Sequence, residues 1–196
     1  MKRTNKELTM ILIPLGVGLN IGFAAIVTLL KIPIYLDAIG TIIITLILGL
    51  RAGVATGVLS FILMTVTGIG PFHIYFSGTQ AIIALTIYLI ASRSFFNSIP
   101  KVIVTGIIIG VVAAIVSAPV IVYLFGGIEA NGPGLFTAFL LATGKTITQS
   151  VILKGVSVEP IDKTIQCLLS FFLIKSIPPS IIRKLNSILL EKNFLK

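Results

Sequence analysis

Long runs of apolar residues, separated by short polar breaks, occupy most of this chain. A run of about 20 such residues is long enough to cross the hydrocarbon core of a bilayer as a helix. The pattern therefore predicts an all-α integral membrane protein, a six-transmembrane-helix bundle formed by a single membrane domain over residues 1–196. The predicted spans cover residues 8–30, 37–50, 52–67, 73–92, 102–125 and 160–175.

The breaks between the runs define the expected turns. Arg51 separates two short runs, which reach only about 20–25 Å and are predicted as packed spans in a locally thinned bilayer. The stretch 68–71 reads Gly-Ile-Gly-Pro and interrupts a helix. The Gly- and Pro-rich stretch 126–134 is predicted to be an exposed loop. The first run follows a basic start, as a signal peptide does, but its length favours an uncleaved span.

The last third of the chain admits more than one arrangement. Residues 135–153 are apolar but contain Lys145, and we expect an outer or re-entrant helical segment there, with 160–175 as the sixth span. Both termini are then cytoplasmic, together with eleven of the 15 Lys and Arg residues, as the positive-inside rule favours. Counting both segments as spans would put the termini on opposite sides. The converse arrangement, with 135–153 as the sixth span, stays open.

The composition excludes a soluble monomer. Of the 196 residues, 56% are hydrophobic and only 11% are charged, and the mean hydropathy is +1.13. A soluble domain carries about 25% charged residues. The formal net charge of +9 comes from basic residues at the ends of apolar runs, where they act as topology signals. We therefore expect a multi-pass protein of the cell membrane, surrounded by a lipid bilayer and without a nucleic-acid partner.

The sequence carries little that suits catalysis. Cys167 and His73 are the single cysteine and histidine, which excludes an internal disulfide and a metal centre built on cysteine or histidine clusters. The tripeptide Gly-Lys-Thr at 144–146 lacks the glycine that a phosphate-binding loop needs five residues earlier, because residue 139 is Phe. The motifs of zinc proteases and serine hydrolases are absent from the sequence. We predict no catalytic residue, no metal, no cofactor and no enzyme activity.

The polar residues are not scattered along the apolar runs. A charged residue at the centre of a bilayer costs about 2.5–3.5 kcal/mol on insertion scales, so such residues tend to be functional. Here they gather at the predicted outer face, which indicates an outward-opening pocket for a small polar ring compound. The candidate substrate-binding residues are Asp37, His73, Tyr75, Gln80, Tyr123, Asn131, Asp162 and Lys163.

Several of these residues also fit plainer roles. Asp162 and Lys163 suit a capping pair at a helix start, because acidic residues favour helix N-termini. His73 follows a Pro-Phe turn and fits a solvated loop equally well. Glu129 and Asn131 lie among glycines and a proline, as residues of a surface turn do.

Small residues form ridges along some of the predicted spans. Helices in lipid associate where small side chains let their backbones approach closely. Gly18 and Gly22 form such a ridge on the first span, and a longer one follows Gly106 and Gly110 on the fifth. Each ridge fits either packing within this chain or docking of a partner subunit. Asn20 also lies within the first span, where an interhelical hydrogen bond is favoured over a substrate contact.

Short segments in a fixed order carry a resemblance to a known family. They are LN at 19–20, IPIYLDAIGT at 32–41, LGLRAGVATG at 48–57, SAP at 117–119, YLFGG at 123–127 and IDK at 161–163. Together with the six-span size, they resemble the substrate-binding (S) subunits of energy-coupling-factor (ECF) vitamin transporters, and among these the riboflavin-transporter group. The resemblance covers most of the chain, and its weight lies in the order of the segments.

The resemblance implies a six-helix fold with N- and C-termini cytoplasmic and a function without catalysis. Such a subunit of an ABC importer binds a vitamin or vitamin precursor at the outer face of the bacterial plasma membrane. It delivers the solute through a transmembrane coupling (T) subunit and two cytosolic ATPases. Asp162 and Lys163 match a pair that contacts the ligand in riboflavin-type members. The resemblance does not name the vitamin.

The resemblance also implies a docking surface. Gly18, Gly22 and Ala24 match the small residues on the first helix that dock against the coupling subunit, although Gly and Asn replace the usual alanines at some positions. Two other functions compete with this hypothesis. A membrane sensor or assembly module without small-molecule transport would act through protein contacts alone. An integral membrane enzyme acting on lipid would need an acidic or histidine cluster on the cytosolic side, which the sequence lacks.

Overall fold

The fold is all-helical. The computed structural model describes residues 2–129, 131–185 and 187–194, and 81% of the structure is helix, with no strand in this part of the chain. The all-α prediction is thereby confirmed. The helices are α1 (Lys2–Leu29), α2 (Ile39–Leu48), α3 (Leu50–Thr67), a 3₁₀ helix (His73–Phe76), α4 (Ser77–Ser92), α5 (Ile99–Phe125), α6 (Gly132–Ala142), α7 (Ile147–Lys175), α8 (Pro179–Leu185) and α9 (Ile188–Phe194).

Among the described residues, four helical segments are long and apolar enough to cross a membrane. They are Thr9–Leu29, Leu50–Thr67, His73–Ser92 and Ile99–Phe125. Each agrees with one of the predicted spans to within a few residues. The structure thus contains the helices that a multi-pass membrane protein requires.

The second predicted span is a short helix in the middle of the bundle. α2 has ten residues, a length of about 15 Å, and residues 39–47 are all buried. Gly49 turns the chain directly into α3 with a φ of 89°, a conformation that glycine adopts without strain. α2 and α3 lie so close that a Cβ atom on Gly53 would collide with Thr45. α2 is therefore an apolar core against which α1, α3, α4 and α7 pack.

The loop between α1 and α2 enters the bundle. α1 ends at Leu29, yet α2 begins beside the middle of α1, because a Cβ atom on Gly40 would collide with the backbone of Gly16. Asn20 also bonds the start of α2, so residues 30–38 run back along α1 by roughly 14 Å. Irregular backbone buried between helices must find hydrogen-bond partners within the protein. We call residues 30–38 the re-entrant loop.

The structure divides residues 135–153 differently from the expected outer or re-entrant segment. α6 ends at Ala142, and Gly144 follows with a φ of 85°, so no single segment covers this range. α7 then begins behind a capping box formed by Thr146 and Gln149. The eleven residues of α6 extend about 16 Å, too short to cross a bilayer. The segment that turns back into the bundle is residues 30–38.

α7 is continuous across the position where the last span was predicted to begin. It has 29 residues, passes through Pro160 and is about 43 Å long. Asp162 and Lys163 therefore lie in the middle of a helix and do not cap its start. The apolar pattern placed the helix start too late because Lys154 and Glu159 interrupt it, although both side chains are buried in the bundle.

The small-residue ridge of α5 packs against α7. A Cβ atom on Gly106 would collide with the backbone of Thr164, and one on Gly110 with the backbone of Pro160. A Cβ atom on Gly155 would lie 3.1 Å from that of Ala114. The order of these contacts shows that α5 and α7 are antiparallel. This ridge serves packing within the chain, since glycine permits the close approach that holds helices together in lipid.

The C-terminal helices close the end of the bundle opposite the re-entrant loop. Ser187 Oγ donates to the carbonyl oxygen of Leu46 at 2.7 Å, and Asn193 Nδ2 donates to that of Ala91 at 2.9 Å. Asn193 Oδ1 accepts from the backbone N–H of Phe96 at 2.8 Å. α9 is thereby held against the ends of α2 and α4.

The first residues of α1 lie at the same end of the bundle as α9. α1 runs parallel to α3, because Gly16 lies beside Thr56 and Asn20 beside Ser60. α3 in turn starts next to the end of α2 that α9 covers. We call this the basic end, because the helix ends there carry Arg51, Arg93, Lys101 and Lys175. The opposite end, with the re-entrant loop, is the site end.

Candidate functional site

A cavity of about 170 Å³ opens at the site end, between the re-entrant loop, α3, α4, α5 and α7. Aromatic rings line it, from Tyr35, Phe61, Phe72, His73, Phe76 and Phe125. Ionisable and amide groups line it too, from Asp37, Gln80, Glu129, Asn131, Glu159 and Lys163. A wall of this kind can both pack on a flat ligand and form hydrogen bonds with it.

The re-entrant loop is held inside the bundle by α7. Asp162 Oδ1 accepts hydrogen bonds from the backbone N–H groups of Tyr35 and Leu36, both at 3.0 Å, and Gln166 Oε1 accepts from that of Ala38 at 2.7 Å. Leu36 has a φ of 49°, a conformation that is uncommon for a bulky side chain. Buried backbone donors need partners. These three bonds replace the hydrogen bonds to water that the backbone N–H groups of the loop lose on burial.

Asn20 and Gln80 complete the support of this region. Asn20 Oδ1 accepts from the N–H groups of Gly40 and Thr41, at 2.7 and 3.3 Å, and so caps the start of α2. Asn20 Nδ2 donates to hydroxyl groups on α2 and α3, which confirms its predicted interhelical role. Gln80 lines the cavity, but its amide already donates to the carbonyl oxygen of Asp37 and accepts from Thr41 Oγ1.

Lys163 is the central cation of the site. Its ammonium lies 2.7 Å from Asp162 Oδ2, 2.9 Å from Asp37 Oδ1 and 3.9 Å from Glu159 Oε2. It also lies 5.4 Å from the centroid of the Tyr35 ring. Lys163 is only 2% exposed, and a buried charge is tolerated when it is paired and hydrogen-bonded. The structure therefore brings Asp37, Asp162 and Lys163 together, with Asp162 behind the cavity wall.

A second ion pair lies beside the first. Lys154 Nζ lies 2.8 Å from both Glu129 Oε2 and the hydroxyl oxygen of Tyr35, and that hydroxyl donates to Glu129 Oε2 at 3.2 Å. Burial and the carboxylates, of which that of Glu129 is the strongest, raise the pKa of Tyr35 well above its ordinary value. The phenol thus stays neutral and remains a donor. The side chain of Glu129 is buried, so it does not belong to an exposed turn.

The loop predicted at 126–134 is packed rather than fully exposed. Gly132 begins α6 and is buried, and a Cβ atom on it would collide with the carbonyl oxygen of Ile32 in the re-entrant loop. Asn131 Oδ1 accepts from the N–H of Gly134 at 2.8 Å and caps α6, while Asn131 Nδ2 lies 3.4 Å from Glu129 Oε1. Asn131 reaches the cavity with its amide committed to these contacts.

His73 lines the cavity at the start of the 3₁₀ helix. Its Nδ1 lies 3.1 Å from the carbonyl oxygen of Gly70, and its ring meets that of Phe61 edge to face at 5.1 Å. A carbonyl oxygen only accepts, so Nδ1 carries the hydrogen. His73 is therefore a half-buried part of the wall and not a solvated loop residue.

Tyr75 and Tyr123 lie outside the cavity, contrary to the prediction. They are 55% and 84% exposed, and the ring of Tyr75 packs on the outside of Phe125 at 5.9 Å. Tyr123 is two positions from the buried Ile121, which places it about 200° round the helix and therefore on the opposite face. Both residues lie at the site end of the bundle, but their side chains point away from the cavity.

Four residues of the site were missed or undervalued from the sequence, namely Tyr35, Glu129, Lys154 and Glu159. Glu159 is the most informative, because it is 4% exposed and lines the cavity. Its spacing to Lys163 and Gln166 places all three on one helical face. That signal was present in the sequence, but it applies only if the helix continues through Pro160.

The proposed docking residues divide between two environments. Gly18 and Gly22 are exposed, and a Cβ atom on either would meet no atom within 4 Å. Ala24 is buried against Phe61 and Met64, so it is not part of the same free surface. The exposed ridge of α1 is therefore Gly18 and Gly22 without Ala24.

Comparisons of this chain with models of protein families, with curated proteins and with solved structures find no match. The function is therefore inferred from the geometry of the site together with the order of the sequence segments.

Proposed function

We propose that this chain is the substrate-binding subunit of an ECF-type ABC importer. It binds a vitamin or vitamin precursor in the cavity at the site end and delivers it through a transmembrane coupling subunit and two cytosolic ATPases. The observation that carries the proposal is the cavity itself, in which aromatic rings and charged groups meet inside a bundle of apolar helices.

The energetic cost of this arrangement supports a solute-binding role. Charged groups within a membrane domain are expensive and mark substrate or ion pathways. Lys154, Lys163 and Asp162 are almost completely buried, so each gives up hydration. Asp162 uses its bonds to hold the re-entrant loop, and this loop carries Asp37 and Tyr35 into the cavity wall. The buried charges thus form the binding site instead of merely filling the bundle.

The membrane arrangement forms part of the proposal. We infer six membrane helices, α1 to α5 and α7, with α2 as the short inner member and both termini cytoplasmic. The basic end then faces the cytoplasm, in agreement with the positive-inside rule, and the site end faces outward. Gly18 and Gly22 form the surface that docks on the coupling subunit, since small exposed residues allow a helix from another chain to approach closely.

The test is capture of a small molecule by the detergent-purified chain. Cys167 is the single cysteine and is buried, so a thiol-reactive fluorescent dye reports unfolding without any engineered label. We expect one member of a panel of water-soluble vitamins and their precursors to raise the unfolding temperature saturably. A ligand present at 100 times its Kd adds about 2.7 kcal/mol to stability. Mass spectrometry of the purified sample should identify the same compound.

Failure of the proposal has a clear form. If no compound in the panel shifts unfolding and no small molecule co-purifies, the chain is not a vitamin-capturing subunit. A partner protein that co-purifies through α1 in that case would favour the sensor or assembly module.

A further inference from the structure

The charges around the cavity do not balance. Two ammonium groups, on Lys154 and Lys163, face four carboxylates. The carboxylates belong to Asp37, Glu129, Glu159 and Asp162. With all six groups ionised, the site carries two more negative charges than positive ones. Unbalanced buried charge is unfavourable, so a ligand that supplies positive charge would be stabilised here.

Part of the excess negative charge can be assigned to one side chain. Lys154 pairs with Glu129, and Lys163 lies within hydrogen-bond distance of Asp162 and Asp37. Glu159 has only the 3.9 Å approach of Lys163, which is beyond hydrogen-bond distance, and its carboxylate makes no hydrogen bond to any described residue. Glu159 is nevertheless 4% exposed and lines the cavity. Its carboxylate is therefore available to accept a hydrogen bond from a molecule in the cavity.

The titratable neighbour of this group does not remove the negative excess. His73 also lines the cavity, and its Nδ1–H donates to the carbonyl oxygen of Gly70. A second proton on His73 would still leave the site with one excess negative charge. The aromatic lining also favours a positively charged ligand, because ring faces attract cations within about 6 Å of the centroid.

The cavity has room for a one-ring solute. An enclosed apolar cavity of about 150 Å³ accommodates benzene, and this one measures about 170 Å³. A single substituted six-membered ring therefore fits. Among the described residues, no group of three or more His, Cys, Asp or Glu side chains lies close enough to hold a metal ion. An organic cation suits this wall better than a metal does.

We propose that the cavity takes a cationic one-ring aromatic solute whose charged group is bound by the carboxylate of Glu159. This inference rests on the proposed function, because it names the class of solute that the same cavity captures. The ring packs among Phe61, Phe76 and Phe125, and an N–H donor of the solute meets Glu159. A charge-assisted bond of this kind is worth about 1.5–3 kcal/mol, equivalent to roughly 10- to 100-fold in affinity.

A matched series of one-ring probes tests the charge preference on the full chain in detergent. Benzamidine, benzamide and benzoate share one ring and nearly one size, but carry positive, zero and negative charge. We expect benzamidine to bind at least about tenfold more tightly than benzamide, and benzoate to be the weakest, measured by thiol-dye unfolding and by saturation-transfer NMR. Equal binding of all three, tighter binding of benzoate, or binding of none overturns the inference.

The variant Glu159→Gln assigns the preference to this carboxylate. Glutamine keeps the size and the hydrogen-bonding capacity of a protonated glutamic acid but removes the charge. We expect the preference for benzamidine over benzamide to disappear, while Glu7→Gln, the same change at an exposed position of α1, leaves it intact. Full preference in Glu159→Gln would show that the carboxylate does not select the ligand. If this variant does not fold, the wild-type series still decides the question.

The two proposals fail separately. A captured vitamin that is anionic, or neutral with only acceptor groups, would leave the importer subunit standing and overturn the cation preference. A benzamidine preference without capture of any vitamin would leave the cation preference standing and overturn the importer subunit.

Discussion

The carboxylate of Asp162 lies 3.0 Å from the backbone nitrogen of Tyr35, so a residue of α7 holds the re-entrant loop in the middle of the bundle. The same carboxylate receives Lys163 and Gln166, both at 2.7 Å. The carboxylate of Asp162 therefore accepts from every one of these donors, an arrangement that suits its ionised form. This one side chain joins the position of the loop to the electrostatics of the cavity.

We expect Asp162→Asn to destabilise the protein. The asparagine amide would turn its own N–H groups toward Lys163 or the loop, and one buried cation would lose a partner. Removal of one partner from a buried ion pair costs about 3–5 kcal/mol. The measurement is the unfolding temperature from Cys167 labelling, with Glu7→Gln as an exposed control. An unchanged unfolding temperature would show that the loop does not depend on this carboxylate.

Lys163→Ala should reduce both stability and ligand binding. The substitution leaves Asp37 and Asp162 without their shared cation, and two uncompensated buried carboxylates should cost at least about 3–5 kcal/mol. Lys145→Ala is the matched control, because Lys145 is exposed and such substitutions usually change stability by about 0.5 kcal/mol or less. Equal unfolding temperatures for the two variants would contradict the ion-pair network.

Two glycine substitutions should have opposite consequences. Gly18→Leu adds a side chain in open space, so we expect normal folding and solute binding but loss of uptake when the coupling subunit and ATPases are present. Gly110→Leu places a side chain against the backbone of Pro160, so we expect it to disrupt the α5–α7 contact and to prevent folding. Uptake assays in cells and the yield of folded protein measure the two effects. Normal uptake with Gly18→Leu would exclude this face of α1 as a docking surface.

Asn20→Ala should weaken the start of α2. The substitution removes the acceptor for the N–H groups of Gly40 and Thr41, and buried donors without partners cost about 1–3 kcal/mol. We expect a lower unfolding temperature and weaker solute binding, because Thr41 also positions Gln80 beside the cavity. Asn97→Ala is the control, since Asn97 is exposed. Equal stability of the two variants would argue against a capping role for Asn20.

The sequence alone determined the class of the protein and the packing of some helices. The apolar content excludes a soluble monomer because the chain has too few charges to cover its surface. Gly106 and Gly110 indicated the close approach of another helix, which the structure shows to be α7 of the same chain. Asn20 indicated an interhelical hydrogen bond, which the structure confirms. These predictions hold because helix length, hydropathy and residue spacing are local properties of the chain.

The tertiary structure decided which polar groups meet. Glu159 lies in the site only because α7 continues through Pro160. Tyr123 lies outside the site because its side chain is on the exposed face of α5. The re-entrant loop is stable only because Asp162, more than a hundred residues away, supplies its acceptor. Hydropathy sums over neighbours in sequence, whereas a buried charge is stabilised by partners that the fold brings to within about 3 Å. Only the assembled bundle could therefore reveal the cavity and the carboxylate of Glu159 in its wall.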